Sequence, residues 1–257
     1  MVACGVTVLR TADGKRSTKL WRRNVTGAGW TVSGYGKGYK FIPAEHEVSC
    51  MVDVASVIEA HRKDQTALIV RGALTPAVRA SIKADPRHQM RRLKDPDYEK
   101  GDPATLVDVA RSWLPVDVDK FKLRPTDDVE HDLMPIIDRA ISECLPEPFH
   151  DARCFFQLSS SAGFLPGMIS VHLFFWLSHA VTSAHAKEVM REHARGIDLS
   201  IYGAAQQIYI ADPVIEGGYD PVPRRTGRRD GMDDAVTLPA LRTVERTAYS
   251  APSSLSE

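Results

Sequence analysis

The stretch Trp113 to Phe121 reads W-L-P-V-D-V-D-K-F and sets two carboxylates, Asp117 and Asp119, two residues apart. On a strand both side chains leave one face, with Cα atoms about 7 Å apart, while Val116 and Val118 point the other way into a core. Carboxylates at that separation can converge on the same hard cations. Phosphoryl transfer uses such a pair, because one cation activates the attacking oxygen and another steadies the leaving pyrophosphate. The spacing by itself is common, and a solvated acidic pair gives the same pattern.

Two further stretches carry polar groups in apolar surroundings. In M-I-S-V-H-L-F-F-W-L, Ser170 and His172 share a strand face that Phe174 and Trp176 continue. Buried, the hydroxyl and the imidazole need partners, and together they suit an incoming triphosphate. For His172 alone, a hydrogen bond to a backbone carbonyl is the plainer reading. In R-G-I-D-L-S-I-Y, Asp198 interrupts a short apolar strand, where a turn or helix N-cap explains it equally well.

The elements that must position these groups are legible in part. Residues 1–50 are Gly-rich, with short β-type runs at Trp30–Ser33 and Tyr39–Ile42. Val52 to His61 has helical spacing, Ala67 to Val70 reads as a buried strand, and Thr75 can cap a helix opening at Pro76. Residues 85–104 have the composition of an exposed loop. Trp113–Phe121 reads as a strand. Thr126 or Asp127 is expected to cap a helix whose stripe is Val129, Leu133, Ile136, Ile137, Ala140 and Ile141. Strands are expected at Cys154–Leu158 and Ile169–Leu177, with a Ser-rich loop between them. A helix follows from Thr182 to about His193, then short strands at Ile197–Leu199 and Gln207–Ile210. From Gly217 onward Pro, Gly, Arg and Asp dominate. The mixture predicts an α/β or α+β fold in two lobes.

Charge is balanced, with 33 Lys and Arg against 33 Asp and Glu, so only its clustering can inform on partners. Residues 1–40 hold Arg10, Lys15, Arg16, Lys19, Arg22, Arg23, Lys37 and Lys40 against the single acid Asp13. Arg87, Arg91, Arg92 and Lys94 form a second cluster, and Arg224, Arg225, Arg228 and Arg229 a third. Such patches fit a phosphate-rich partner in one groove, though each taken alone also reads as a solvated surface. Of these, Arg91, Arg92 and Lys94, with part of the basic N-terminal segment, are expected to track a DNA backbone. No apolar run approaches the roughly 18–20 residues of a membrane span, and the N-terminus does not read as a signal peptide, so a cytoplasmic protein without membrane contact is expected. Cys4, Cys50, Cys144 and Cys154 form no CxxC pair. Cys144, His150 and Cys154 fall short of the four close ligands of a structural zinc, and no zinc is expected.

In order, the chain offers an apolar strand ending in D-x-D, a Ser-rich loop, a strand carrying S-x-H, and an apolar element with Asp198. This resembles the archaeo-eukaryotic primase superfamily, whose three catalytic motifs follow that order. Q-L-S-S-S-A-G-F-L-P-G-M-I-S-V-H-L-F-F-W-L and Q-Q-I-Y-I-A-D-P resemble the primase-polymerases of plasmids, phages and integrative elements. The resemblance runs from about Arg111 to Arg225 and is only general before that. It implies an RRM-like catalytic sheet beside a smaller N-terminal α/β lobe, with the active site in the cleft. It implies a catalytic domain over residues 1–225, in lobes of about 1–105 and 106–225, followed by a linker or flexible tail over 226–257. It implies that Asp117, Asp119 and Asp198 hold two Mg²⁺ or Mn²⁺ ions and that Ser170 and His172 bind an NTP or dNTP, on a single-stranded DNA template and with a replicative helicase as a further partner.

Some members of that superfamily carry a basic residue two positions before the motif serine, where this chain has Met168. The triphosphate charge must then be met elsewhere, and Arg71, Lys120, Arg224 and Arg225 are the candidates. Arg224 and Arg225 are also spare cations for gripping a first nucleotide when a strand is started without a primer. A repair or translesion polymerase of the same fold is one alternative. A non-catalytic DNA-binding replication protein is another, although three acids in a DNA groove repel the backbone unless metals screen them. A tyrosine-type nickase fits poorly, since His172, His179 and His185 do not alternate on one strand.

Overall fold

The structure is a computed structural model and describes residues 4–25, 27, 29–222 and 224–241. Along the chain run β1 (Cys4–Thr11), β2 (Leu20–Arg23), β3 (Trp30–Ser33), β4 (Phe41–Val48), α1 (Met51–His61), β5 (Ala67–Val70), β6 (Ala73–Leu74), α2 (Pro76–Ala84) and β7 (Leu106–Val107). There follow β8 (Arg111–Lys122), α3 (Leu133–Cys144), β9 (Cys154–Leu158), β10 (Met168–Val181), α4 (Ser183–His193), β11 (Val214–Glu216) and β12 (Thr226–Arg229). Among the described residues this is a mixed α and β chain with four small sheets: β4-β1-β5, β12-β9-β10-β8, β11-β2-β3 and β6-β7.

The four-stranded sheet is antiparallel throughout and carries the candidate residues. Its strands owe their place to what covers them. From Trp113 to Val116, β8 is buried at every position, so both faces are packed and the sequence there is continuously apolar. From Asp117 onward burial becomes intermittent, and this is where the strand turns polar. One continuous core joins Val6, Val8 and Ile58 of the N-terminal half to Trp113, Ile136, Phe156 and Phe174. The approximate lobe boundary at residue 105 therefore does not divide the core. A smaller cluster holds Leu9, Phe41, Leu68, Val70 and Leu74.

Three expectations change. The helix expected from Thr126 or Asp127 begins at Leu133, with Asp132 at its N-cap. Asp127 instead accepts from the Arg124 amide and pairs with Arg139, while Asp128 accepts from the amides of Glu130 and His131. These local bonds offer the backbone an alternative to the helix. The stripe of Leu133, Ile136, Ile137, Ala140 and Ile141 is buried as its period requires.

The short strands expected at Ile197–Leu199 and Gln207–Ile210 reduce to single bridges, Val118 to Ile197 and Ile69 to Ile208. Finally, the segment expected to leave the domain at residue 226 supplies β12, which pairs with β9. Val236 beyond it is buried and bridges Leu177. The expected tail thus lies outside the described residues only from 242 onward. No helix among the described residues is long and apolar enough to cross a membrane.

Candidate active site at the β8–β10 junction

β8 and β10 pair so that His172 stands directly opposite Asp117, with His172 Nε2 3.6 Å from Asp117 Oδ1. The register then slips, because Ile169 faces Phe121 while Val171 faces Val118. Asp119 and Lys120 therefore oppose the single residue Ser170, which is a β-bulge. Lys120 adopts φ of 55°, the one left-handed non-glycine among the described residues. A β-carbon in that region costs about 1–2 kcal/mol, so something nearby must hold it. The Ser170 hydroxyl does so: it accepts from the Lys120 amide at 2.9 Å and donates to Asp119 Oδ1 at 2.7 Å. Ser170 thus fixes both the bulge and the carboxylate.

Asp198 reaches the same place from another element. Ile197 bridges Val118 along the open edge of β8, and the Asp198 amide donates to the Asp117 carbonyl at 2.8 Å. Its carboxylate caps the 3-10 turn Leu199–Ile201, accepting from the Ser200 amide at 2.7 Å and the Ser200 hydroxyl at 2.8 Å. The N-cap reading of Asp198 thus describes its bonds, and its backbone delivers it to the D-x-D strand as well.

Asp117, Asp119, Asp198, Ser170 and His172 all line one cavity of about 260 Å³. No family model matches the chain, and no curated protein or solved structure does. The chemistry of the site therefore rests on its own geometry.

The donor set at the cavity is of hard oxygens, the kind that Mg²⁺ and Mn²⁺ prefer. Asp117 and Asp119 supply it. Asp198 accepts one hydrogen bond from Ser200 on each oxygen and keeps further lone pairs. Among the described residues, no group of three or more His, Cys, Asp or Glu side chains is arranged to hold a metal ion. Asp117 and Asp119 both line the cavity from β8, and they are the residues that would hold such an ion. His172 is buried, and its Nδ1 has no protein partner. Gln157, its opposite number on β9, donates Nε2 to the Ile210 carbonyl and leaves its buried Oε1 unpartnered. Unsatisfied buried polar atoms cost about 1–3 kcal/mol each, so these two strand neighbours carry a local penalty beneath the cavity.

The cations expected to meet the triphosphate are mostly committed elsewhere. Arg71 is fully buried and does not line the cavity. Its guanidinium donates to the carbonyls of Trp113, Arg111 and Val181 and to the Ser183 hydroxyl, and burial pulls its pKa down to about 10. It ties the N-terminal half to β8 and β10. Arg225 is buried too, bonded to both oxygens of Asp220 and to the carbonyls of Ser159 and Ala162. It holds the Ser-rich loop in place and is not a spare cation. Arg224 is exposed and lies over the Phe156 ring, away from the cavity. Lys120 stands at the rim, 66% exposed, with Nζ 3.9 Å from Asp119 Oδ2.

Of the three residues expected to track DNA, Arg91 is bound by Asp97 and Asp102, each at 2.6 Å, and lies over the Tyr39 ring. Those two acids raise its pKa further. Lys94 is exposed, with Asp95 at 3.9 Å. Arg92 is half-buried, its pKa lowered by that burial, and feels the Tyr209 hydroxyl.

Sequence reasoning missed the opposite wall of the cavity. It is made by Lys19, Tyr35 and Tyr209 together with Gln206 and Gln207. Tyr35 stacks on Tyr209 with ring centroids 3.9 Å apart and planes at 10°. Lys19 belonged to a basic segment whose members look alike in sequence, and Tyr35 lies in a Gly-rich stretch without periodicity. Only the Q-Q-I-Y element hinted at this wall.

Proposed function

We propose that the chain is a metal-dependent nucleotidyltransferase of the primase-polymerase kind, joining NTPs or dNTPs on a single-stranded DNA template. The observation that carries this reading is the convergence of three separated motifs on one cavity: Asp117 opposite His172 on paired strands, Asp119 bonded to Ser170, and Asp198 bonded through its amide to Asp117. An acidic pair that was merely solvated would have no reason to share one cavity with a buried histidine and a third carboxylate from another element. Part of the topology supports an RRM-like sheet, since β8, α3, β9 and β10 follow in that order and the strands lie side by side as β9-β10-β8, while β12 departs from it by pairing with β9 rather than β8.

In this reading Asp117 and Asp119 hold the divalent ions, with Asp198 nearby. Ions bound there would supply activation of the attacking 3′ oxygen and stabilisation of the departing pyrophosphate. The protein's own share is positional. Ser170 spends its only proton on Asp119, so its part is to aim that carboxylate, and it cannot donate to a triphosphate at the same time. His172 is the donor left for the triphosphate. The buried sheet beneath keeps both from rotating.

The test supplies labelled dNTPs or NTPs, Mg²⁺ or Mn²⁺ and a single-stranded template, with and without an annealed primer. Metal-dependent incorporation supports the reading, and product in the primer-free arm marks initiation. A chain that binds the template yet incorporates nothing with either metal is the DNA-binding protein of the alternative reading.

A further inference from the structure

We propose that Lys19 is the cation that receives the phosphates of the incoming nucleotide, held in place by Tyr35. This rests on the reading of the cavity as a nucleotide site. The cavity presents Asp117, Asp119 and Asp198, so a polyanion entering it meets like charge, and at least one cation must offset that repulsion beyond what bound metals supply. Position 168 is methionine. Arg71 and Arg225 are buried and bonded elsewhere. Among the described residues Lys19 is the only Lys or Arg that lines the cavity.

Its surroundings are those of a residue held for a ligand. The Lys19 carbonyl accepts from the Val214 amide at 3.0 Å, and Ser17 two residues earlier is bonded to the carbonyls of Gln65 and Thr66. The main chain that carries Lys19 is thereby pinned on both sides. The side chain is half-buried, and no carboxylate among the described residues stands within ion-pair distance of it. Desolvation lowers its pKa, against the pull of Asp119 and Asp117. A cation that bears desolvation without a paired acid is poised to bind an anion.

Tyr35 fixes where that cation sits. Lys19 Nζ lies 5.5 Å from the Tyr35 ring centroid, a cation–π distance. Tyr35 is itself immobilised by its stack on Tyr209 and by its hydroxyl, 3.4 Å from Ser160 Oγ. The N-terminal half thus places a charge opposite carboxylates carried by the C-terminal half, and Tyr35 acts through Lys19 as a positioning residue.

The experiment measures equilibrium binding of dATP and of dAMP, each with Mn²⁺, to the full 257-residue chain. The variants are Lys19→Met, which keeps the aliphatic stem, Lys19→Arg, Tyr35→Leu and Tyr35→Phe. Removing one charge-assisted contact should weaken dATP binding by about tenfold in Lys19→Met, while dAMP binding changes by less than about twofold. Lys19→Arg should restore most of the loss. Tyr35→Phe keeps the ring and should stay near wild type, whereas Tyr35→Leu should lose several-fold. Thermal melting of each variant reports folding separately. Equal dATP affinity in Lys19→Met overturns the proposal, as does an equal loss for dATP and dAMP, or a wild-type chain that binds no dATP. If the wild type binds dATP through Lys19 but incorporates none, the polymerase reading fails and this inference stands. If it incorporates normally and Lys19→Met binds dATP unchanged, the reverse holds.

Discussion

The four-stranded sheet has a cavity at each end, and they differ in an instructive way. The larger, about 480 Å³, opens between the start of α1 and β12, over Phe155 and Trp176. Its charged groups are largely spent on each other or on neighbours: Arg153 pairs with Asp234 at 2.5 Å, and Arg229 pairs with Asp138 and donates to the carbonyls of Ala152 and His150. The smaller cavity, about 260 Å³, gathers Lys19 with Asp117, Asp119 and Asp198, whose near partners are an imidazole, two serines and the exposed Lys120 rather than arginines. Volume and acidity therefore point to different places in this molecule, and gathering three acids at one cavity without an arginine to match them sacrifices stability there.

The sharpest way to break this contrast is to remove charge at both ends. Asp117→Ala and Asp119→Ala should each lower nucleotide incorporation by at least about a hundredfold, since in the proposed reading each removes a metal ligand. Arg153→Ala and Asp234→Ala at the larger cavity should change it by less than about twofold, being exposed pairs of small energetic worth. Comparable losses at both ends, in initial rates on a primed template, would erase the distinction.

A smaller effect is expected at His172. His172→Ala should raise the KM for nucleotide about tenfold and leave DNA affinity within about twofold, since it removes a donor to the triphosphate alone. Loss of DNA binding with unchanged KM would reverse the assignment.

The bulge offers a test of positioning. Ser170→Ala strands the Lys120 amide and frees Asp119 Oδ1, and should destabilise the fold by about 1–3 kcal/mol in urea unfolding. Adding Lys120→Gly removes the left-handed penalty and should recover about 1 kcal/mol. If the second change recovers nothing, the strain at Lys120 is not what Ser170 restrains.

What could be read in advance follows from this same sheet. The strands at Cys154–Leu158 and Ile169–Leu177 were legible because their burial is nearly continuous, that at Trp113–Phe121 because its first half is fully buried, and the helix opening after Thr182 because Thr182 does cap it, accepting from the His185 amide. The D-x-D and S-x-H spacings likewise announced shared faces. The bulge was hidden, since nothing in V-D-V-D-K-F marks Lys120 for a left-handed backbone. The fates of Arg71 and Arg225 were hidden as well. Their acceptors are mostly carbonyls, which every residue has, so sequence cannot distinguish a buried structural arginine from a free one. β12 and Lys19 were missed for a related reason: both are set by long-range pairing, to β9 and to the cavity wall, with no local pattern.

The smallest effect concerns the exposed cations of the expected DNA path. Arg91 is already neutralised by two acids, so Arg91→Ala should loosen its loop more than it weakens DNA binding. Lys94→Ala should lower the slope of log K against log salt by about 0.7, the value for one contact on a single strand. An unchanged slope removes Lys94 from the path.

In the proposed function the carboxylates of the smaller cavity hold the catalytic ions. Electron paramagnetic resonance of Mn²⁺ titrated into the protein with dATP present tests it without requiring turnover. The account predicts bound Mn²⁺ in the wild type and in Asp234→Asn, and a loss of at least about tenfold in affinity in Asp117→Asn and in Asp119→Asn. Mn²⁺ bound equally well by all four proteins, or released only by the change at Asp234, would contradict it.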